Sequence, residues 1–159
     1  MQLEHASGPA IQWVALRMRD ADFREFEALS TATGQRELAA QLAQRFCGRD
    51  DVLVARHDER PIAVGGLIGT RPNVASLLFF ATDEFSKVGN ALTRIIKREL
   101  FPGAKAAGVH RIEAVAMVEH VEAHRWIQYL GLTAEGPPLR GFGKGGEAYQ
   151  MFSWVRDDL

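Results

Sequence analysis

The run Val74-Ala75-Ser76-Leu77-Leu78-Phe79-Phe80-Ala81, followed by Thr82-Asp83-Glu84-Phe85-Ser86-Lys87-Val88-Gly89-Asn90-Ala91, decides how this chain is read. The first eight residues form an apolar strand. Leu92, Ile95, Ile96 and Leu100 then recur at helical spacing, with Lys97, Arg98 and Glu99 on the water side. The pattern predicts a helix over residues 87–101, loosened at its end by Pro102-Gly103. A strand that passes through small residues into a helix is suited to an anion. The first N–H groups of a helix lack internal partners, its dipole is positive there, and small side chains let the backbone approach. Gly89 and Ala91 are the small residues and Lys87 adds a cation; Asp83 and Glu84 oppose an anion if they point inward.

Upstream, residues 52–56 and 62–68 read as strands joined by a turn at Asp58-Glu59-Arg60-Pro61. With residues 74–81 they form an antiparallel meander. Gly65-Gly66 within the second strand signals a bulge or a close backbone approach. Before them, residues 11–18 (IQWVALRM) read as a strand. Asp20 and Asp22 suit the start of a helix carrying Phe23, Phe26 and Leu29, and Leu38, Leu42, Ala43 and Phe46 mark another helix closed by Gly48. Residues 1–10 and the last three read as loose ends.

Downstream, residues 110–117 alternate as a strand. Residues 120–130 form a helix with Ala123, Trp126, Ile127 and Leu130 inward and Gly131 as its stop. Residues 132–140 make an irregular strand interrupted by Pro137-Pro138. A glycine-rich loop (Gly141, Gly143, Gly145, Gly146) leads to a last strand over residues 148–155. The order is β-α-α-β-β-β-α-β-α-β-β: one α+β domain over residues 1–159, with a mixed, mostly antiparallel sheet of six to seven strands and about four helices.

That order resembles the Gcn5-related N-acetyltransferase fold. In that family the loop after the fourth strand carries Arg/Gln-x-x-Gly-x-Gly/Ala and holds the pyrophosphate of coenzyme A. Here Gly89 and Ala91 match the small residues and Ser86 stands where Arg or Gln is usual. The resemblance implies coenzyme A or acetyl-CoA as cofactor, held by Phe80, Ala81, Thr82, Ser86, Lys87, Val88, Gly89, Asn90 and Ala91. It implies a thioester carbonyl polarised by a main-chain N–H near residues 80–82. The family's Asn-x-x-Ala-x-x-x-Tyr-x-x-x-Gly-Phe aligns with residues 120–132. Ala123 and Gly131 match, Leu132 replaces Phe and His120 replaces Asn. Ile127 takes the place of the usual Tyr, and Tyr129 lies two residues on, about 200° around the helix. The candidates for acid and base work are therefore Glu113, Glu84 and Tyr129, with Asp83 and Glu119 as rival carboxylates. Residues 11–155 also resemble, more narrowly, acyltransferase-like internal virion proteins of short-tailed bacteriophages, through Met18-Arg19-Asp20-Ala21-Asp22, residues 123–132, Pro137-Pro138, Gly141-Phe142-Gly143 and Phe152. That narrower likeness implies phage virion proteins as partners, the host cytoplasm or the virion as location, and an alternative role in assembly without turnover. The acyltransferase reading implies an amine acceptor, on a small molecule or a protein.

The chain's 159 residues bury a real core, and 47% hydrophobic against 25% charged residues is a globular composition. Nineteen Lys and Arg face twenty Asp and Glu, evenly spread: nine and ten in residues 1–80, ten and ten in residues 81–159. No basic half exists to neutralise phosphates, which argues against a nucleic-acid partner. A net charge of −1 adds little self-repulsion, so a homo-oligomer is compatible with it. No apolar run is long enough to span a membrane. A free Cys47 and an N-terminus without a basic-then-apolar pattern make the cytoplasm the expected compartment. Cys47 closes a helix, where the dipole does not activate a thiol, and reads as a small packed group. His120-x-Glu122-x-His124 lacks the spacing of a zinc protease, so no metal is expected. Trp126 and Trp154 read as anchors, and the loop 141–146 lacks the Gly-Lys-Ser/Thr of a phosphate loop.

Overall fold

The computed structural model describes residues 1–159. Its elements are β1 (Gln2–His5), α1 (Gly8–Leu16), α2 (Asp20–Ala28), α3 (Gln35–Phe46), β2 (Leu53–His57), β3 (Arg60–Arg71), β4 (Val74–Ala81), α4 (Gly89–Ile95), α5 (Phe101–Ala106), β5 (Arg111–Met117), α6 (Val121–Tyr129), β6 (Thr133–Ala134) and β7 (Tyr149–Val155). The strands form one seven-stranded sheet in the order β1-β2-β3-β4-β5-β7-β6. The pairs β1–β2, β2–β3, β5–β7 and β6–β7 are antiparallel, and β4–β5 is parallel. This is the α+β class and mixed sheet that the sequence predicts.

Two segments differ from the sequence reading near the N-terminus. Residues 11–18 are not a strand. Ser7 accepts the Ala10 N–H at 3.2 Å as an N-cap, proline occupies the first turn, and α1 runs to Leu16. Residues 1–10 are not loose either: β1 pairs with β2 from Gln2↔Arg56 to His5↔Leu53. Packing divides the chain into two compact units, residues 1–66 with 78–92 and residues 67–77 with 93–159.

The first unit holds β1 to β2, the start of β3, the end of β4 and the start of α4. Helix α1 packs along α3, and Ile11, Val14, Ala15, Leu38 and Leu42 are buried. The β2–β3 turn is tighter than predicted. Asp58 and Glu59 alone have positive φ, 49° and 68°, while Arg60 and Pro61 already pair with His57 and Arg56 in β3. A register shift at Ala55/Arg56 accommodates the missing N–H of Pro61. The glycine pair is a close approach, as its sequence suggests. A Cβ on Gly66 would stand 1.9 Å from the Asp51 carbonyl oxygen, and one on Gly65 2.8 Å from that of Leu78.

The second unit contains β5, α6, β6 and β7, the start of β4 and the end of β3. Ile112, Ala114, Ile127, Leu130, Leu132, Tyr149 and Phe152 are buried. The parallel ladder is short: Val74↔Arg111, Ala75↔Ile112 and Ser76↔Glu113. The helix predicted to end at residue 101 runs through residue 106. Between α4 and α5, Ile96–Leu100 forms a π-helical turn in which Phe101 N–H bonds Ile96 C=O. That wider turn leaves room for Pro102, which lacks an N–H and crowds the turn before it.

Candidate functional site

Strand β4 delivers the chain into the turn that the sequence singles out. Thr82 N–H bonds the Ile62 carbonyl of β3 at 2.8 Å, and Phe85 N–H folds back to Thr82 C=O at 3.1 Å. A single 3-10 turn, Phe85–Lys87, follows. Leu92 N–H then makes the bond to Val88 C=O, at 2.9 Å, that starts the helix. The N–H groups of Asn90 and Ala91 precede that bond, among the first N–H groups of a helix that lack an internal partner. Small or exposed side chains surround them: Gly89, Ala91, and Asn90 and Ser86 at the surface. This end of the site fits a diphosphate.

At the end of β4, two of the main-chain donors that the family resemblance implies already have partners. Ala81 N–H donates to Asp22 Oδ2 at 2.9 Å, and Ala81 C=O accepts from Arg19 N–H at 2.9 Å. Thr82 N–H is taken by Ile62. Neither N–H is available to polarise a carbonyl. Phe80 is fully buried, its ring edge-on to Phe26 with centroids 5.3 Å apart, so its side chain belongs to the core. Val88 is also buried.

Lys87 and Glu84 neutralise each other. Glu84 accepts from Lys87 Nζ at 2.6 Å and from Arg60 Nη2 at 2.7 Å. Those two cations hold its carboxyl far below the ordinary 4.5, at about 2. A carboxylate so paired is a poor proton acceptor near neutrality, which weighs against a base role for Glu84. The linkage has a definite sign. The stability these pairs add is fully present above pH 4.5 and is lost as the pH falls toward about 2. The Glu84 carboxyl carbon, followed by NMR, is therefore expected to titrate with a midpoint of about 2. A midpoint at 4.5 would show that the pairs do not form in solution.

The other two acid–base candidates lie in the second unit. Glu113, opposite Ser153 on β5, accepts from Arg111 Nε at 2.7 Å and Arg71 Nη2 at 3.3 Å. Arg111 continues the chain of charges to Glu135 at 2.8 Å. Both Glu113 oxygens thus face guanidinium groups, and a proton-accepting role would have to displace one. Tyr129 is exposed on α6 under the Lys97 ammonium, 4.0 Å from the ring centroid, while Ile127 is buried. The two-residue offset read in the sequence places the phenol on the solvent side. His124 Nε2 lies 2.8 Å from Met117 C=O and its ring packs on Phe152, a structural placement. Residue Asp22, part of the helix start in the sequence, emerges as the buried charge of the first unit. Burial raises its carboxyl above the ordinary value, against the opposing pull of Arg19 and the Ala81 N–H.

No protein-family model and no curated protein matches the sequence. Solved structures do match it over nearly its whole length. The ribosomal-protein-alanine N-acetyltransferase of Brucella melitensis superposes with a TM-score of 0.69 at 18% identity, covering 98% of this chain and 99% of that one. The N-acetyltransferase of Staphylococcus aureus Mu50 gives 0.69 at 13% identity, covering 97% of each. The acetyltransferase yncA of Salmonella typhimurium, solved with its cofactor acetyl-CoA, gives 0.67 at 18% identity and covers 99% of this chain and 94% of that one. The fold is therefore that of the Gcn5-related N-acetyltransferases. None of these three is a phage protein. No helix is long and apolar enough to cross a membrane.

Proposed function

We propose that this chain binds an acyl-coenzyme A and passes the acyl group to an amine. The observation that carries the reading is the start of α4, where two main-chain N–H groups and a helix dipole meet small side chains in a fold shared with acetyltransferases. Acyl-coenzyme A, when bound, supplies an activated thioester. Asn90 and Ala91 would hold its diphosphate through their N–H groups, and Gly89 would allow close approach. Lys87 contributes only the charge left over from its pairing with Glu84.

A second reading is a protein that keeps this fold without turnover and works by binding, with the phage virion as one setting. The occupied N–H groups of Ala81 and Thr82, and the ion-paired Glu84 and Glu113, favour it.

Acetyl-CoA separates the two. Saturating ligand at about 100 times Kd stabilises a protein that binds it only when folded by ~2.7 kcal/mol, which raises Tm. The Asn90→Glu variant is expected to retain its unliganded Tm, because an acidic residue suits the first turn of a helix. The same charge repels a diphosphate and should abolish the shift. No shift in the unsubstituted protein up to millimolar acetyl-CoA would discard the acyl-coenzyme A reading and leave the second.

A further inference from the structure

The segment between α1 and α2 runs back along β4. Met18 bridges Thr82 in antiparallel fashion, and Arg19 N–H bonds Ala81 C=O at 2.9 Å. Ala81 N–H in turn bonds Asp22, which is only 4% exposed. Arg19 grips the same carboxylate with Nε at 3.0 Å and Nη2 at 3.1 Å. Its guanidinium carbon lies 5.1 Å from the centroid of Phe85 and 5.9 Å from that of Phe79, and those two rings meet edge to face at 5.3 Å. Phe85 reaches the next element: a Cβ on Gly89 would stand 3.3 Å from its ring. One ion pair therefore touches both ends of the turn that precedes α4. Burying a charged pair is costly, and an apolar contact would attach α2 more cheaply. What the pair adds is direction, through a forked bond and a main-chain bond that fix one register.

We propose that Arg19 and Asp22 are positioning residues for the turn between β4 and α4. By fixing Ala81 and Phe85 together, they keep the N–H groups of Asn90 and Ala91 aimed as anion donors. The use of that aim rests on the diphosphate reading above. The positioning itself does not.

Amide hydrogen exchange on the full chain tests it, in the unsubstituted protein and in Asp22→Asn, Arg19→Met and Arg19→Lys. Asp22→Asn keeps an acceptor for Ala81 and loses the charged fork. Arg19→Lys keeps the charge and is the milder variant, the one to read if Arg19→Met fails to fold. The expected result is at least tenfold faster exchange at the bonded amides of Phe85, Val88 and Leu92 in Asp22→Asn and Arg19→Met, a smaller rise in Arg19→Lys, and unchanged exchange in β7. A uniform rise across the chain would reduce the pair to a general stabiliser and overturn the proposal, as would unchanged exchange at those three amides. Calorimetry with acetyl-CoA on the same proteins keeps the two readings apart. Faster local exchange with no binding to the unsubstituted protein removes the functional reading and leaves the positioning. Binding that is equally tight in all four proteins, with unchanged exchange, removes the positioning alone.

Discussion

Gly66→Ala is expected to cost about 3 kcal/mol or more, a large share of the roughly 5–15 kcal/mol that holds an ordinary domain folded. The added Cβ would meet the Asp51 carbonyl oxygen at 1.9 Å and lie 3.4 Å from the Val52 Cα. Both obstacles are main chain in the segment that leads into β2, so no side-chain rotation relieves the clash. Strand β3 has to move away from its neighbour, and the ladder Leu53↔Gly65, Val54↔Val64 moves with it. Urea denaturation is the measurement. A midpoint within error of the unsubstituted protein would mean that the residues 51–52 approach is slack in solution. Gly65→Ala meets one carbonyl at 2.8 Å and should cost less.

The second large effect belongs to Phe80. The resemblance gives the Phe80 region a main-chain role, and the Phe80 side chain itself is 0% exposed and packs edge-to-face on Phe26. Phe80→Ala should therefore cost ~3–5 kcal/mol of stability through lost burial and the cavity left behind. Phe80→Leu keeps most of the volume and should cost much less. Chemical denaturation of both variants, with acetyl-CoA titration of the Leu variant, gives the check. A stable Phe80→Ala protein that has lost only ligand affinity would put the ring in a cleft and contradict the packing.

The contrast between these residues explains what could be read without coordinates. The strands of the meander, the parallel strand β5 and helix α6 were legible because each has one dominant period. Residues 11–18 misled because Ile, Trp and Val suggest a strand by type. Their spacing carried the better signal: Ala10, Ile11, Val14, Ala15 and Met18 are the buried positions, and Ser7-Gly8-Pro9 is a helix start. Type and period conflicted, and period decided. The turn into α4 was legible where it depends on local backbone, at residues 89–91. It was not legible where it depends on partners far along the chain. Arg60 reaches Glu84 across 24 residues and Asp22 reaches Ala81 across 59. Such pairs follow from the tertiary arrangement, which composition and spacing do not encode one residue at a time. For the same reason Lys87 looks like a phosphate ligand in sequence and is half of an ion pair in the fold.

The π-helical turn at Ile96–Leu100 has a further consequence. It holds one residue more than an α-helical turn would need between the buried Ile96 and the buried Phe101. An ordinary helix brings residues four apart onto one face, and these two are five apart. The segment thus behaves as a helix with a single inserted residue whose phase error is absorbed locally instead of being passed down to β5. The extra residue is carried by the exposed Lys97-Arg98-Glu99, so neither buried end loses its frame.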